Sequence, residues 1–287
     1  MTLKLSMLIE DAPNVNLPDE RLTHALSKRN VSVSTCPYYR HRDFVLPEAL
    51  KGAELIGIMG TLAAIRNWSQ LNTTHHAPFF LPLFSSQFHR VHRYHGHLPE
   101  GSRLNENAAM LPYGQVKSKT AFQLSKRIGS DPMMGMVIKP DQALKVAEAA
   151  LVGPDSQHRP IREIFERTGL SDDSLMWFGP QTPLVREYRC LILEGQCISA
   201  STYGFLQESV NADHHRPLIN QASLWAQNMT FDDPAYMMDI GERRDGSLAI
   251  IELNALSTSG LYEVNRDAIA DAWVASASHI WERDYAF

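Results

Sequence analysis

The stretch that most constrains the fold of this sequence runs from residue 235 to residue 262 and predicts a β-hairpin. Its centre holds Asp245-Gly246, a dipeptide typical of tight hairpin turns, and apolar residues alternate with polar ones on either side. If these two residues form the loop, Arg244 pairs with Ser247, and that pairing sets the register of both strands. The hairpin therefore predicts which side chains share a face.

That register brings oxygen-bearing side chains together on one face. Asp239 lies directly opposite Glu252, and Asn254 is one step along on the same face, because strand side chains alternate with a period of two. The other face is predicted to pack in the core, since it carries Met238, Ile240, Ile251 and Leu253. Two facing carboxylates repel each other unless a cation lies between them. We interpret the acidic face as a floor for magnesium bound to a nucleotide; the alternative is that both acids face solvent on an edge hairpin.

Composition narrows the class of protein. The chain has 287 residues, enough for two domains or one large one, and its net charge of −5 argues against a broad nucleic-acid-binding surface. No apolar run reaches the length of a membrane span, and the N-terminus lacks a signal-peptide core, so we expect a cytoplasmic protein. Three cysteines, Cys36, Cys190 and Cys197, form neither a disulfide framework nor a zinc pattern.

The first part of the chain alternates strand and helix patterns. Strands are predicted over residues 3–9, 31–36 and 55–59. A helix from Pro18 to about Lys28 joins the first two strands, and this alternation favours a small parallel sheet. Gly57 and Gly60 are too few and too widely spaced to form a dinucleotide-binding fingerprint.

A histidine-rich stretch follows an apolar segment at 79–84. The spacing of its histidines matches no defined zinc signature, and no cysteine is near. We interpret the stretch as a solvated basic loop or helix, with a metal site as the alternative. The histidines are His89, His92, His95 and His97.

The rest of the chain predicts helices around a second hairpin. Helices are predicted over 115–127, 142–152, 161–168, 219–228 and 264–283, a strand over 133–138, and a flexible loop over 205–218. A strand stays open for 142–152, although its alanines favour a helix.

The second hairpin spans residues 183–203 and turns at Glu194-Gly195. Its predicted pairs are Leu193 with Gln196, Arg189 with Ala200, and Glu187 with Thr202. This register puts Glu187 and Arg189 on one face. The thiols of Cys190 and Cys197 are then diagonal neighbours on the other face, where we interpret them as packing residues.

In combination, these segments resemble the ATP-grasp superfamily, and most of all a small, often phage-encoded branch recognised by its basic active-site residues. The similarity runs over about residues 75–280 and is clearest from 184 to 265. It is carried by Lys139-Pro140, Glu187-Tyr188-Arg189, Asp239-Ile240, Glu252-Leu253-Asn254 and Ser259-Gly260-Leu261-Tyr262.

The resemblance implies a fold that mixes α/β and α+β parts, the ATP-grasp fold. A small N-terminal α/β domain, expected at residues 1–112, precedes two α+β subdomains that clamp ATP between antiparallel sheets. We expect the small ATP-grasp subdomain at 113–182 and the C-terminal subdomain with the metal-binding hairpin at 183–287.

The resemblance also implies an activity. Such proteins are ligases that join a carboxylate to an amine or similar nucleophile through an acyl-phosphate, using ATP and Mg²⁺ and releasing ADP and phosphate. The implied partners are small-molecule or peptide carboxylates and amines; a membrane is not expected, nucleic acid is not supported, and a homodimer stays open. If the gene is phage-encoded, the compartment is the host cytoplasm. The alternatives are a phosphotransferase (kinase) on the same scaffold and a non-catalytic nucleotide-binding protein.

By position, the resemblance assigns roles to individual residues. Asp239, Glu252 and Asn254 match the metal ligands. Lys139 and Lys145 match basic residues over the phosphates.

Further roles concern the nucleotide and the acyl-phosphate. Glu187 and Arg189 match a polar pair beside these groups, and Arg189 and Lys145 are the expected catalytic residues. Within the segment 179–184, which matches the linker that cradles adenine, the nucleotide contacts are assigned to Gln181, Thr182 and Leu184. Relatives often have an arginine in place of Lys139, a glycine-containing stretch shortly after Lys145 and an acidic residue in the linker, and this chain departs from each. Two aromatic residues, Tyr203 and Tyr262, either line an acceptor pocket or are ordinary core residues.

Overall fold

The computed structural model describes residues 4–11, 17–37, 47–70, 79–82, 89–141, 147, 149–203, 210 and 215–284. Within these residues the strands form three four-stranded sheets, one after another along the chain. Each sheet is built from a continuous part of the sequence, and helices cover their faces.

The first sheet is parallel, as the alternating pattern predicts. Its order is β2-β1-β3-β4, with strands β1 (Leu5–Asp11), β2 (Ser32–Pro37), β3 (Leu55–Met59) and β4 (Phe79–Pro82). Helix α1 (Glu20–Ser27) joins β1 to β2, and the carboxylate of Asp19 caps it by accepting from the backbone N–H groups of Arg21 and Leu22. A helix that the sequence analysis did not predict, α2 (Leu62–Ser69), follows β3.

Helix α3 (Val91–His95) leads from the first sheet towards the second. The second sheet is antiparallel, with the order β5-β8-β6-β7. Its strands are β5 (Ala109–Pro112), β6 (Met136–Pro140), β7 (Ala150–Val152) and β8 (Leu175–Pro180). Helices α4 (Tyr113–Val116), α5 (Ala121–Arg127) and α6 (Ile161–Ile164) accompany it.

The helix predicted over 142–152 is wrong at its C-terminal end. Residues 150–152 are strand β7, and Val152 pairs with Met136 in the core of the second sheet. Tertiary pairing here overrides a local helix propensity, in agreement with the strand that the family resemblance implies. Lys145 lies outside the described residues.

The third sheet is antiparallel and has the order β10-β9-β11-β12. Its strands are β9 (Arg186–Leu193), β10 (Gln196–Thr202), β11 (Ala235–Glu242) and β12 (Leu248–Asn254). Helix α7 (Arg216–Gln227) packs on one face through Leu218, Ala222 and Trp225. The long closing helix α8 (Arg266–Asp284) packs between this sheet and the first one, where Trp273 shares a core with Met7 and Met237.

The predicted pairing of Asp239 with Glu252 is confirmed, although the turn differs from the prediction. The loop holds three residues, 244–246, because the backbone N–H of Arg243 bonds to the carbonyl of Ser247. A β-bulge between Asp239 and Ile240 then restores the predicted register at the acids. As a consequence Ile250 is buried in the position predicted for Ile251, which is half-buried.

A bulge also shifts the second hairpin, and here the prediction is wrong beyond the turn. Leu193 pairs with Gln196 as expected, but the shift between Cys197 and Ser199 pairs Arg189 with Ser201 instead of Ala200. The same shift pairs Thr202 with Tyr188, not with Glu187. The three cysteines are free thiols and are buried, as packing residues are.

None of the helices in the described part of the chain combines the length and the hydropathy that a membrane span requires. The domain limits at 112 and 182 stay predictions. Strand β5, which ends at the first of these limits, pairs with β8 of the second sheet.

Candidate functional site

Three oxygen-bearing side chains converge on one face of the third sheet. The amide nitrogen Nδ2 of Asn254 donates to Oδ2 of Asp239 at 2.9 Å and to Oε1 of Glu252 at 3.0 Å. Both carboxylates therefore lie against one nitrogen atom, as the hairpin register predicts. The amide that binds both acids through its nitrogen presents its oxygen as a third donor.

Asp239 is held by a buried arginine from the neighbouring strand. Arg189 on β9 pairs with Asp239 on β11, and its Nε and one terminal nitrogen donate to the two carboxylate oxygens at 2.8 and 2.7 Å. The other terminal nitrogen donates to the carbonyl of Gly260 at 2.9 Å. Burial lowers the pKa of Arg189, but the charge of Asp239 more than compensates and raises it above its usual value. The guanidinium is thus a fixed positive charge.

Glu252 is held by a lysine that comes from the second sheet. Lys139 lies on β6, and its Nζ donates to Oε2 of Glu252 at 2.9 Å. The same ammonium stands 5.3 Å from the ring centre of Trp177. Burial lowers the pKa of Lys139, while the negative charge of Glu252 outweighs that effect and raises it. This ion pair joins the second and third sheets at the site.

Glu187 adds a third carboxylate on the same strand as Arg189. Its partner across the ladder is Gly241, two residues from Asp239, so Glu187 and Arg189 lie on one face. Burial and then the charges of Asp239 and Glu252 raise the pKa of Glu187. The acidic surroundings of Glu187 are those of a group close to a cation-binding position.

Two tyrosines cover the arginine. The rings of Tyr203 and Tyr262 are 4.8 Å apart, and the Arg189 guanidinium lies 5.2 and 4.9 Å from their centres. Tyr262 has a φ of 44°, and its ring lies so close to Gly260 that an added Cβ there would be 3.3 Å away. The tyrosines therefore enclose the Arg189–Asp239 pair, and their assignment to an acceptor pocket stays a prediction.

The linker residues lie along the junction of the second and third sheets. The side chain of Gln181 packs against Gly135, and the hydroxyl of Thr182 donates to Asn105 at 2.7 Å. Leu184 packs on Gly241, where a Cβ would lie 2.6 Å from its methyl group. Each of the three contacts protein groups here, and their role towards a nucleotide stays a prediction.

The histidine-rich stretch is not the solvated basic segment that we expect from its sequence. His89 is buried and pairs with Asp233 at 2.8 Å, while His92 pairs with the buried Asp141. Burial, then the positive charges of Arg103 and Lys139, lowers the pKa of His95 to about 4. In the described part of the chain, no group of three or more His, Cys, Asp or Glu residues could hold a metal ion.

Sequence reasoning missed the aromatic wall of the site. Trp177 lies on β8 directly opposite Lys139, and Tyr94 is a buried neighbour of Lys139 and Glu252. Burial raises the pKa of Tyr94 to about 12, so its hydroxyl keeps its proton. The apolar run around Trp177 was the available signal, since it predicts a buried strand.

The donors at the site suit a hard divalent cation. Two carboxylates and one amide oxygen are the ligand types that Mg²⁺ accepts, and Lys139 lies beside them as a partner for phosphate. Asp239, Glu252 and Asn254 would hold such a metal. Because both acids are already paired with cations, a metal must replace some of these contacts.

Solved structures share the arrangement of the three sheets. A D-cycloserine synthetase, DcsG, superposes with a TM-score of 0.63 at 13% identity, covering 94% of this chain and 99% of that chain. D-alanine–D-alanine ligase from Bacillus anthracis, solved with ATP, gives 0.58 at 11% identity and covers both chains completely. The ATP-grasp ligase PsnB, solved with a minimal precursor, gives 0.51 at 14%, covering 96% of this chain and 100% of that chain.

This protein thus has the ATP-grasp fold, and the resemblance seen in the sequence is confirmed. Residues 145–276 match the family model described as an ATP-grasp domain, clade family 3. The matched segment includes Arg189, Asp239, Glu252 and Asn254 and ends within helix α8. No curated protein matches the sequence.

Proposed function

We propose that this protein is an ATP-dependent ligase, which joins a carboxylate to an amine or similar nucleophile through an acyl-phosphate and releases ADP and phosphate. The observation that carries the proposal is the meeting of Lys139 from the second sheet with Asp239, Glu252 and Asn254 on the third. A cation on one sheet and a set of oxygen ligands on the other are what a magnesium-bound triphosphate requires.

The chemistry explains why the site needs charges but no nucleophilic side chain. A carboxylate resists attack by an amine because its leaving group would be oxide. Transfer of the γ-phosphoryl group to the carboxylate supplies phosphate as a better leaving group, and the amine then displaces it. Both steps depend on positioning and on neutralising oxygen charges.

Each side chain has a role in this scheme. Asp239, Glu252 and Asn254 would hold Mg²⁺, which supplies positive charge to the phosphate oxygens. Lys139 would bind phosphate oxygens from the side of the second sheet as a point charge. Arg189 keeps Asp239 oriented through its two parallel hydrogen bonds. Lys145 is proposed as a second basic residue over the phosphates, on the basis of the sequence.

The structural neighbours support a ligase over other ATP-using enzymes. DcsG is named as a synthetase, the Bacillus anthracis protein is named as a D-alanine–D-alanine ligase, and PsnB was solved with a precursor peptide. We therefore propose a small molecule or a peptide as the source of the carboxylate, and a small amine or side chain as the acceptor.

The test is to compare Glu252→Gln with the unaltered protein in ATP turnover. We expect Glu252→Gln to lower turnover by more than about 100-fold, because a direct metal ligand matters more than the supporting residues whose loss costs about 10–100-fold. Asp245→Asn is the matched control, since it removes an exposed carboxylate from the turn of the same hairpin. A Glu252→Gln protein that stays folded and keeps full turnover would contradict the metal assignment.

Product analysis separates the ligase from a phosphotransferase. The protein is incubated with ATP, Mg²⁺ and a mixture of carboxylates and amines, and the products are identified by mass spectrometry. A ligase yields a condensed product that has lost water, together with ADP and phosphate. A stable phosphorylated acceptor without a new bond to an amine would show a kinase instead.

A further inference from the structure

The two cations of the site hold their carboxylates in different ways. Arg189 makes two hydrogen bonds to Asp239 and a third to the carbonyl of Gly260, and two tyrosine rings flank its guanidinium. Lys139 makes one hydrogen bond to Glu252, and within the described residues no other hydrogen bond of its ammonium is present. Arg189 is therefore fixed, whereas Lys139 depends on a single partner.

Exposure reinforces the difference. The side chains of Arg189 and Asp239 are 6% and 7% exposed, while those of Lys139 and Glu252 are 12% and 21% exposed. A lysine side chain has a flexible stem of four carbons, so its ammonium can change partner without moving the strand. The planar arginine cannot leave Asp239 without losing all its contacts together. The Lys139–Glu252 pair is thus the one that can be rearranged.

The position of Lys139 has a consequence for metal binding. A metal ion that arrives alone and binds Glu252 displaces the ammonium into a largely buried place with no new anion, and an unpaired buried charge is costly. A metal ion that arrives with a triphosphate brings phosphate oxygens, which accept the displaced ammonium. The favourable exchange therefore requires both ligands.

We propose that Lys139 is a counterion which Glu252 exchanges for the metal, so that the site binds the metal tightly only together with a polyphosphate anion. Lys139 then couples metal binding to nucleotide binding, and the coupling acts equally in both directions. This inference rests on the proposed function for the identity of the two ligands. It adds a positioning role for Lys139 before any chemistry takes place.

The experiment compares the unaltered protein with Lys139→Met in two binding assays. Binding of Mn²⁺ alone is followed by the electron paramagnetic resonance signal of the free ion, and binding of Mn²⁺ with the non-hydrolysable analogue AMP-PNP by calorimetry. We expect Lys139→Met to bind Mn²⁺ alone about tenfold tighter or more, because no charge-assisted hydrogen bond has to be broken. The same variant should bind Mn²⁺ with AMP-PNP about tenfold more weakly or worse, because the partner of the phosphates is lost.

Lys117→Met is the matched control, since Lys117 forms an exposed ion pair with Asp172 away from the site. It should change neither affinity. Lys139→Gln is the second variant and should give the same two opposite changes, with folding checked by circular dichroism.

The outcomes separate this inference from the proposed function. If Lys139→Met and Lys139→Gln bind Mn²⁺ alone no tighter than the unaltered protein, Lys139 does not compete with the metal and the exchange is wrong, whatever the nucleotide result. If the unaltered protein binds Mn²⁺ alone as tightly as it does with AMP-PNP, the coupling is also wrong. If it binds no AMP-PNP under any condition, the proposed function fails, and the exchange fails with it.

Discussion

Removal of Arg189 is the perturbation whose effect follows most directly from the geometry of the site. Arg189→Met leaves a side chain of similar length and deletes the guanidinium. The Arg189–Asp239 pair is joined by hydrogen bonds of 2.8 and 2.7 Å, and both side chains are buried. Loss of one partner from a buried ion pair costs about 3–5 kcal/mol, because the other charge stays buried without a counterion. We expect a loss of unfolding free energy in that range.

The assay is urea unfolding followed by tryptophan fluorescence, with the free energy obtained by linear extrapolation. Arg21→Met is the matched control: Arg21 pairs with Glu263 but is 60% exposed, and such pairs contribute about 0–1 kcal/mol. The double variant Arg189→Met/Asp239→Asn should recover part of the loss, because it removes the second charge too. If Arg189→Met costs no more than Arg21→Met, the pair does not hold the site together.

Three further predictions concern stability. Asp19→Asn keeps an N-cap but loses its ion pair with Arg266, so it should cost about 1.5–3 kcal/mol at pH 7. Burial raises the pKa of Asp19, but the hydrogen bond from Arg266 outweighs burial and lowers it; the cost should therefore shrink as the pH falls below 3.8, and an unchanged cost in acid would contradict this. Gly57→Ala should cost about 1–3 kcal/mol in urea unfolding, because its Cβ would lie 2.6 Å from the Trp273 ring; a neutral result would mean that helix α8 shifts freely. Asn254→Asp should lower the Tm without metal and recover part of the loss in Mg²⁺, since a third carboxylate repels the other two until a cation binds; an equal loss with and without Mg²⁺ would count against the site.

The sequence predicts the acidic face of the central hairpin because strand periodicity is local. The pairing of Asp239 with Glu252 depends on a turn and a short count of residues. The count succeeds through two deviations that cancel, a loop of three residues and a bulge beside Ile251. In the second hairpin a single bulge near Ile198 has no such compensation, and the pairing of Arg189 is displaced by one residue. Bulges leave no clear mark in composition or periodicity, so register beyond a turn is the weakest part of such a prediction.

Contacts between distant segments could not be predicted from local patterns. Lys139 reaches Glu252 across 113 residues, and this contact depends on how the second sheet lies on the third. The pairing of Arg189 with Asp239 depends on strand β11 lying beside β9, which is a matter of strand order. His89 is buried because Asp233 is brought to it by the fold, whereas its own neighbours in the sequence suggest a solvated segment.

The most direct test of the claim that Asp239, Glu252 and Asn254 hold a metal-bound nucleotide is a crystal structure with Mn²⁺ and AMP-PNP. We predict an anomalous manganese peak within about 2.2 Å of oxygens from these three residues. The phosphates should lie between the second and third sheets, with Lys139 moved from Glu252 to a phosphate oxygen. Manganese and phosphates bound on another surface, with the Lys139–Glu252 pair intact, would contradict the claim.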